Sequence, residues 1–342
     1  MRKILLYLFT MAICSTGITA CGSTDDYIED LFIRTDTIFS NDTIIHTDTT
    51  FLNGDTIIHI DTIVNKDTIV KNDTLKRSDI LISHYMDQIQ IEGKNSIQAA
   101  DCYGKFFFQF QHTNSKVFIY DLEEKRQIGF VAMNAVPNNH CNTVSFSNTF
   151  YEETDSFPLL YVSGSNSGTY NHVQVYRIFM KEDVFSFDKV QEIILPTAST
   201  KNNLYWTGAV IDKTHNYMYV YANTNGAQIA KFNIPDFKTQ TISLTDNDIL
   251  EQFTLPPFSH QHGACIKDSL LYIMDGVPSW GDKNYLRIID LNNKKDKRKY
   301  NLSELGYGRL EYESISAYKD DFILPTNNND GIYILKINIK NE

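Results

Sequence analysis

What this 342-residue chain lacks narrows its reading first. After the opening residues no apolar run approaches the roughly 20 residues that a membrane-spanning helix needs. The one at the start, Ile4–Ile13, is about half that length and is broken by Thr10. Positive charge is in deficit: 31 Lys and Arg against 42 Asp and Glu, a formal −11, which argues against nucleic acid and against an electrostatic grip on anionic lipid. No nucleophile elbow G-x-S-x-G, H-E-x-x-H zinc helix, phosphate-binding P-loop or G-x-G-x-x-G after a strand occurs, so the common enzyme signatures are missing. Amphipathic helices are missing too; the best candidate, 246–253, is barely two turns. Five cysteines make no disulfide framework. Residues 22–79 contain no proline and only two glycines, Gly22 and Gly54.

That same segment holds the strongest pattern in the chain. Asp-Thr pairs recur at Asp36-Thr37, Asp42-Thr43, Asp48-Thr49, Asp55-Thr56, Asp61-Thr62, Asp67-Thr68 and Asp73-Thr74. The step is six residues except between Asp48 and Asp55, where it is seven. A repeat this polar builds no packed core and reads as a spacer. With twelve acidic and five basic residues, 22–79 carries −7 of the net charge. Thr and Ile favour extended backbone, so one extended stalk is the expected form, reaching on the order of 150 Å at ~3.3 Å per residue. The alternative is a long hairpin turning at Asn53-Gly54, where the seven-residue step falls, because Asn-Gly is a strong two-residue turn signal.

Ahead of the stalk, Met1-Arg2-Lys3, the short apolar run and the small-residue exit have the form of a secretory signal over 1–20. Ile18-Thr19-Ala20-Cys21 resembles the lipobox of bacterial lipoproteins, with Ile18 in place of the more usual leucine. That resemblance implies lipidation at Cys21 and a partner in outer-membrane lipid. Asp25-Asp26 and Glu29-Asp30 resemble the acidic tag that sends lipoproteins of one Gram-negative phylum to the outside of the outer membrane; a periplasm-facing anchor is the alternative. Each repeat reads Asp-Thr followed by Ile, Thr or Leu, which resembles the O-glycan acceptor pattern of the same phylum. It implies glycosylation at Thr37, Thr43, Thr49, Thr56, Thr62, Thr68 and Thr74.

From about residue 80 the composition shifts to aromatic-rich alternating runs separated by turn residues, most of the 20 Tyr and 21 Phe lying here. Units open on a polar cluster, pass through a small-residue strand and an aromatic strand, and reach one like Val117-Phe118-Ile119-Tyr120-Asp121-Leu122 or Leu286-Arg287-Ile288-Ile289-Asp290-Leu291. Five such openings, near Gln98, His140, Trp206, His260 and Glu311, predict an all-β fold, a β-propeller of five blades over 80–342. Six blades are possible if a weak one hides in the long second unit, and a β-sandwich is the structural alternative. The segment Met86 to Ile91 is the expected outer strand that closes the ring. The blade pattern resembles the propeller heads of bacterial surface lipoproteins related distantly to NHL and YncE-type proteins.

Propeller inner strands bring their first residues to one channel mouth, so Gln98, Asp101, His140, Asn142, Trp206, His260, His262, Glu311 and Glu313 are the candidate ligand-binding set. His260 and His262, two apart on a strand, would face one way; the expected reading of these polar groups is a hydrogen-bonded wet channel without a metal, and a zinc site made by His140, His260, His262 and a glutamate is the alternative. Glu311 and Glu313 are the pair for acid/base work on a glycan. Trp280, in a loop-like stretch, is placed to stack on a sugar face or to cover a blade end. Cys102 and Cys265 read as small inner-strand side chains rather than a disulfide, with Cys102–Cys141 the one pairing to test. The expected function is an outer-membrane surface lipoprotein presenting a propeller to a glycan or protein ligand, with no cofactor and no nucleic acid. A hydrolytic enzyme using the His/Glu cluster and a structural part of an envelope complex are the alternatives.

Overall fold

Thr and Ile lose little by adopting extended backbone, and the described part of the repeat, 32–40, 43–52 and 55–64, is accordingly strand. In the computed structural model β1 (Phe32–Ser40), β2 (Thr43–Leu52) and β3 (Asp55–Val64) form an antiparallel three-stranded meander. Leu52 pairs with Asp55, so the chain reverses across Asn53-Gly54, where the repeat lengthens by one residue. Ser40 pairs with Thr43, a second reversal that no Asn-Gly turn signal announces. This part of the segment is therefore folded back on itself rather than drawn out as one spacer. Besides these three backbones the structure describes residues 79–88, 97–112, 116–132, 140–164, 170–182, 184–196, 205–327 and 331–337. Cys21, Thr68, Thr74 and the leader lie outside the described residues. Contacts divide the chain into two units, 1–73 and 74–342. Among the described residues no helix is long and apolar enough to cross a membrane.

The second unit is a five-bladed β-propeller, each blade built on antiparallel strands that run in sequence from inside to outside, apart from one added strand in blade 2 and the outer strand of blade 5. Numbering in chain order, blade 1 holds β5 (Ile97–Tyr103), β6 (Phe106–Gln111), β7 (Lys116–Asp121) and β8 (Arg126–Ala132). Blade 2 holds β9 (Cys141–Phe146), β10 (Leu160–Gly164), β11 (His172–Lys181) and β12 (Val184–Ile194). Blade 3 holds β13 (Gly208–Asp212), β14 (Tyr217–Asn223), β15 (Ala227–Asn233) and β17 (Ile249–Leu255). Between its last two strands the chain detours to lay β16 (Thr241–Ser243) parallel along β12, a fifth strand for blade 2. Blade 4 holds β18 (Gln261–Lys267), β19 (Leu270–Asp275), β20 (Tyr285–Asp290) and β21 (Lys295–Asn301). Blade 5 holds β22 (Ser316–Tyr318), β23 (Asp321–Pro325) and β24 (Ile332–Ile337), and its outer strand is β4 (Ile80–Met86) from the start of the unit. The ring closes as expected, but with 80–86 rather than 86–91. Ile80, Ile82 and Met86 of this strand are buried. The long second unit hides no sixth blade: its extra length is the 147–159 loop and the long β11–β12 hairpin.

The recurring Tyr-Asp-Leu and Ile-Asp-Leu endings have a local cause. Asp121 Oδ1 accepts the backbone N–H groups of Glu123 (2.9 Å) and Glu124 (3.0 Å), and Asp290 Oδ1 accepts those of Asn292 (3.0 Å) and Asn293 (2.9 Å). Each Asp thereby shapes the turn into the outermost strand, and the turn ends on Lys125 or Lys294 with positive φ. The following Leu122 and Leu291 are buried. Asp212 uses the same hydrogen bonds at a different place, the turn from β13 to β14 in blade 3, with Asn216 at φ 57°.

Between blades the core is aromatic. Phe108 meets Phe146, Phe157, Phe185 and Phe187 edge to face at centroid distances from 5.2 to 6.2 Å; such pairs add ~0.5–1.5 kcal/mol each beyond their burial. At the axis the inner strands β5, β9, β13, β18 and β22 succeed one another in a ring. The Tyr221 ring crosses over Gly208, whose missing side chain makes room: a Cβ there would meet the ring at 2.0 Å. Its hydroxyl donates to the His262 carbonyl (2.7 Å) and meets the Thr143 hydroxyl (2.6 Å), so one phenol ties blades 2, 3 and 4. Cys102, Cys141 and Cys265 are buried free thiols, so the tested pairing of Cys102 with Cys141 is not made.

Candidate functional site

His262 lies at the start of inner strand β18, one residue before Gly263, whose N–H donates to the Glu313 carbonyl of blade 5 (2.9 Å). A side chain at 263 would strike Ser314 at 2.2 Å, so glycine lets blades 4 and 5 close together here. The closure brings His262 Nδ1 to 3.0 Å from Glu313 Oε2, both groups buried. The other ring nitrogen, Nε2, lies 3.0 Å from the Gly276 carbonyl, which can only accept, so Nε2 carries a proton. Glu311 completes the group, and His262, Glu311 and Glu313 each present one ligand-type atom within 4.8 Å of the others.

Burial opposes charge on His262, but the Glu313 carboxylate, the Gly276 carbonyl and Glu311 outweigh it and hold the imidazole up, to about 9. Burial likewise pushes Glu313 up, to about 7, against the pull of His262 and with a further push from Glu311. At neutral pH the pair therefore keeps a proton between Nδ1 and Oε2.

A second histidine pair faces the same mouth from blades 1 and 2. His140 Nε2 donates to Gln98 Oε1, and the His112 ring lies edge-on to His140 at 4.2 Å. Burial, with the positive charges of His112 and His262 behind it, lowers His140 to about 3, so it is a neutral imidazole. Nearby strand ends hold amides without partners: both polar atoms of Gln111, which is 2 % exposed, and Nδ2 of buried Asn142. Gln261 Nε2 donates to Thr207 Oγ1 (2.8 Å), joining blades 4 and 3 on this side.

The rim is made by the loop after β19. Trp280, in a single 3-10 turn (Pro278–Trp280), is 73 % exposed and stands edge-on to His260 at 5.0 Å. His260 Nδ1 is 2.6 Å from Asp282 Oδ2, and Ser279 Oγ reaches Glu311 Oε2 at 3.5 Å. Asp275 is wholly buried below this loop; Oδ1 accepts the His260 N–H (2.9 Å), Oδ2 has no partner, and burial raises its carboxyl.

Of the expected set the structure gathers His262, Glu311 and Glu313, pairs His140 with Gln98 and buries Asn142 at the start of β9; three others stand elsewhere. Asp101 is three residues further along β5, at the far end of the channel, where Oδ2 accepts the Phe146 N–H (2.8 Å) and pairs with Lys213 (3.4 Å). Trp206 is a core side chain, its indole N–H donating to the Pro196 carbonyl (3.1 Å). His260 points to the rim rather than beside His262, because it precedes the strand and the β18–β19 pairing slips between Gln261 and Ala264, breaking the alternation. The His140–His260–His262 zinc set is not assembled. Sequence reasoning missed His112, Gln111 and Asp275; the one signal was polar Gln109 and Gln111 alternating with phenylalanines in β6.

Two concavities lie apart from the mouth. One of about 340 Å³ is lined by Ile194, Leu195, Pro196, Leu244, Thr245 and Asp246. The other, about 490 Å³, runs between blade 2 and the β16 detour past Tyr151, Phe187 and Phe237.

No family model matches the chain, and no curated protein matches it in sequence. Solved structures are similar in shape only. A glutaminyl cyclase of Myxococcus xanthus superposes with TM-score 0.47 at 8 % identity, over 75 % of this chain and 96 % of that one. A structural-genomics protein of unknown function from Bacteroides thetaiotaomicron superposes with TM-score 0.44 at 10 % identity, over 86 % and 82 % of the two chains. A Lactobacillus plantarum protein gives TM-score 0.37 at 10 % identity over 75 % and 67 %. At these values none transfers an activity.

Proposed function

We propose that this chain is an outer-membrane surface lipoprotein whose propeller binds a glycan at the channel mouth. The observation that carries the glycan reading is the rim: an indole 73 % exposed, on the same short turn as Ser279, whose Oγ reaches Glu311 of the buried Glu311, Glu313 and His262 group at 3.5 Å. A flat aromatic face beside fixed carboxylates, amides and imidazoles offers a sugar both an apolar platform for its ring face and hydrogen-bond partners for its hydroxyls. Exposed Trp280 has no core to serve, unlike Trp206, and large exposed apolar side chains of this kind mark contact sites when polar groups surround them. The lipobox-like Ile18–Cys21, the acids at 25–30 and the Asp-Thr repeat support lipid anchorage at Cys21, an outward-facing position and a glycosylated stalk.

The test is a glycan array probed with the full chain, followed by titration of the best hit. Trp280→Ala should weaken binding at least tenfold while thermal unfolding stays within about 2 °C of wild type, since the residue packs on little. Unaltered affinity in Trp280→Ala, or no glycan bound while a protein ligand is captured at the same mouth, would reject the reading.

A further inference from the structure

From the blade 4–blade 5 contact we infer a site for one first-row divalent metal ion, zinc foremost, held by His262 Nδ1, Glu313 and Glu311. The inference does not depend on glycan binding. Three features of the group itself carry it.

The first is geometry. Ligand atoms about 2.0–2.2 Å from a tetrahedral zinc lie roughly 3.3–3.6 Å apart. The three side chains present such atoms within 4.8 Å of one another, His262 Nδ1 and Glu313 Oε2 at 3.0 Å, so gathering them about one ion asks the widest pair to close by roughly 1–1.5 Å at most. The second is the outer contact of the imidazole. Metal-bound histidines hand their other ring N–H to a carbonyl or carboxylate, which fixes the tautomer and aims the ligating nitrogen. His262 already does this, Nε2 against the Gly276 carbonyl at 3.0 Å, so Nδ1 is the nitrogen turned toward the two glutamates. The third is an unmet need. Glu313 is 1 % exposed and its Oε1 has no hydrogen-bond partner, while Glu311 is 7 % exposed beside it. Among the described residues neither glutamate pairs with a lysine or arginine. Burying two carboxyls together is costly; the proton that His262 shares with Glu313 offsets one of them, and a divalent ion displacing that proton to solvent would serve both.

The ligand set selects the ion. One imidazole and two carboxylates suit zinc or manganese, whereas calcium takes six to eight oxygens and magnesium keeps several waters. Three protein ligands leave at least one position, and Ser279 Oγ, 3.5 Å from Glu311 Oε2, marks the rim side as the place where water or a ligand oxygen would enter.

The experiment titrates zinc into chelator-treated full-length chain, by calorimetry and by the visible spectrum of the cobalt-substituted protein. One equivalent should bind at micromolar or tighter affinity, with cobalt bands of a low-coordinate N/O site. His262→Ala and Glu313→Gln should each lose at least a hundredfold. Glu311→Gln, nearer the rim, should lose about tenfold and serves as the variant most certain to fold; circular dichroism confirms folding of all three. Trp280→Ala should bind zinc as wild type does, which separates this site from the glycan reading. Wild type taking up no more zinc than folded Glu311→Gln, or cobalt showing only the spectrum of the hydrated ion, would overturn the assignment.

Discussion

At the scale of the residue, the blade-ending aspartates show how one side chain carries a repeat. Asp121 is 2 % exposed, accepts two backbone N–H groups and lies 2.6 Å from Lys105 Nζ. Burial alone would raise its carboxyl, but Lys105 and the two N–H groups prevail and hold it below the usual range. A depressed folded value adds stability above the unfolded carboxylate's pKa, ~3.9, and that contribution disappears as pH falls through the folded value. Asp121→Asn keeps the shape but weakens two charge-assisted bonds and the ion pair. It should cost about 1–2 kcal/mol at pH 7, most of it from the N–H groups because Lys105 is 41 % exposed and screened. Denaturant unfolding of the two proteins checks this: the gap should shrink as pH falls below about 4, and a gap that stays constant at every pH where both proteins still fold would show that the turn, not the charge, carries the effect.

At the scale of the element, hydrophobic alternation and turn chemistry made most of the propeller legible. The strand cores at Val117–Asp121 and Leu286–Asp290, and the blade openings, follow directly from side-chain type. What escaped depends on distant pairing. Ile80–Met86 alternates as a strand should, but nothing local says that it joins Ile332–Ile337 at the opposite end of the unit. The short β16 is invisible because its partner, β12, belongs to another blade. At the site, the mouth set was readable from the blade openings. The fates of His260, Trp206 and Asp101 turned on a strand start, a buried indole and a three-residue walk down β5, none of which residue type reveals. The ring closure is open to measurement. Without 80–86, β24 loses its outer neighbour and Ile80, Ile82 and Met86 leave the core. At ~1.5–3 kcal/mol per buried side chain, the loss is about 5 kcal/mol or more, comparable to the whole stability of many domains. A chain starting at 88 should melt at least 10 °C below one starting at 74, or fail to unfold cooperatively, by circular dichroism. Equal melting would mean that the blade is complete without β4.

At the scale of the molecule, the segment before the propeller decides where the mouth is presented. A meander whose longest strands have ten residues spans ~33 Å, against ~110 Å for residues 32–64 drawn out, so the pairing of β1, β2 and β3 shortens what an extended spacer would reach. Its edge strands carry acids at regular steps, the kind of charge that keeps an exposed strand from pairing with another chain. The chain's formal −11 gives anionic lipid little electrostatic hold on it, so under the proposed anchorage membrane residence would rest on acyl chains. A single chain gives marginal, reversible binding, whereas a multiply acylated Cys21 would hold stably at about 0.8 kcal/mol per buried CH₂. Cys21→Ser should therefore move the protein entirely from the detergent-extracted membrane fraction to the soluble one, with no intermediate partition, because no second device attaches it. Protease added to intact cells should digest the wild-type propeller if the acids at 25–30 direct it outward. Protection until the outer membrane is opened would place the mouth in the periplasm, and a Cys21→Ser protein that stays in the membrane would remove the lipid anchor from the account.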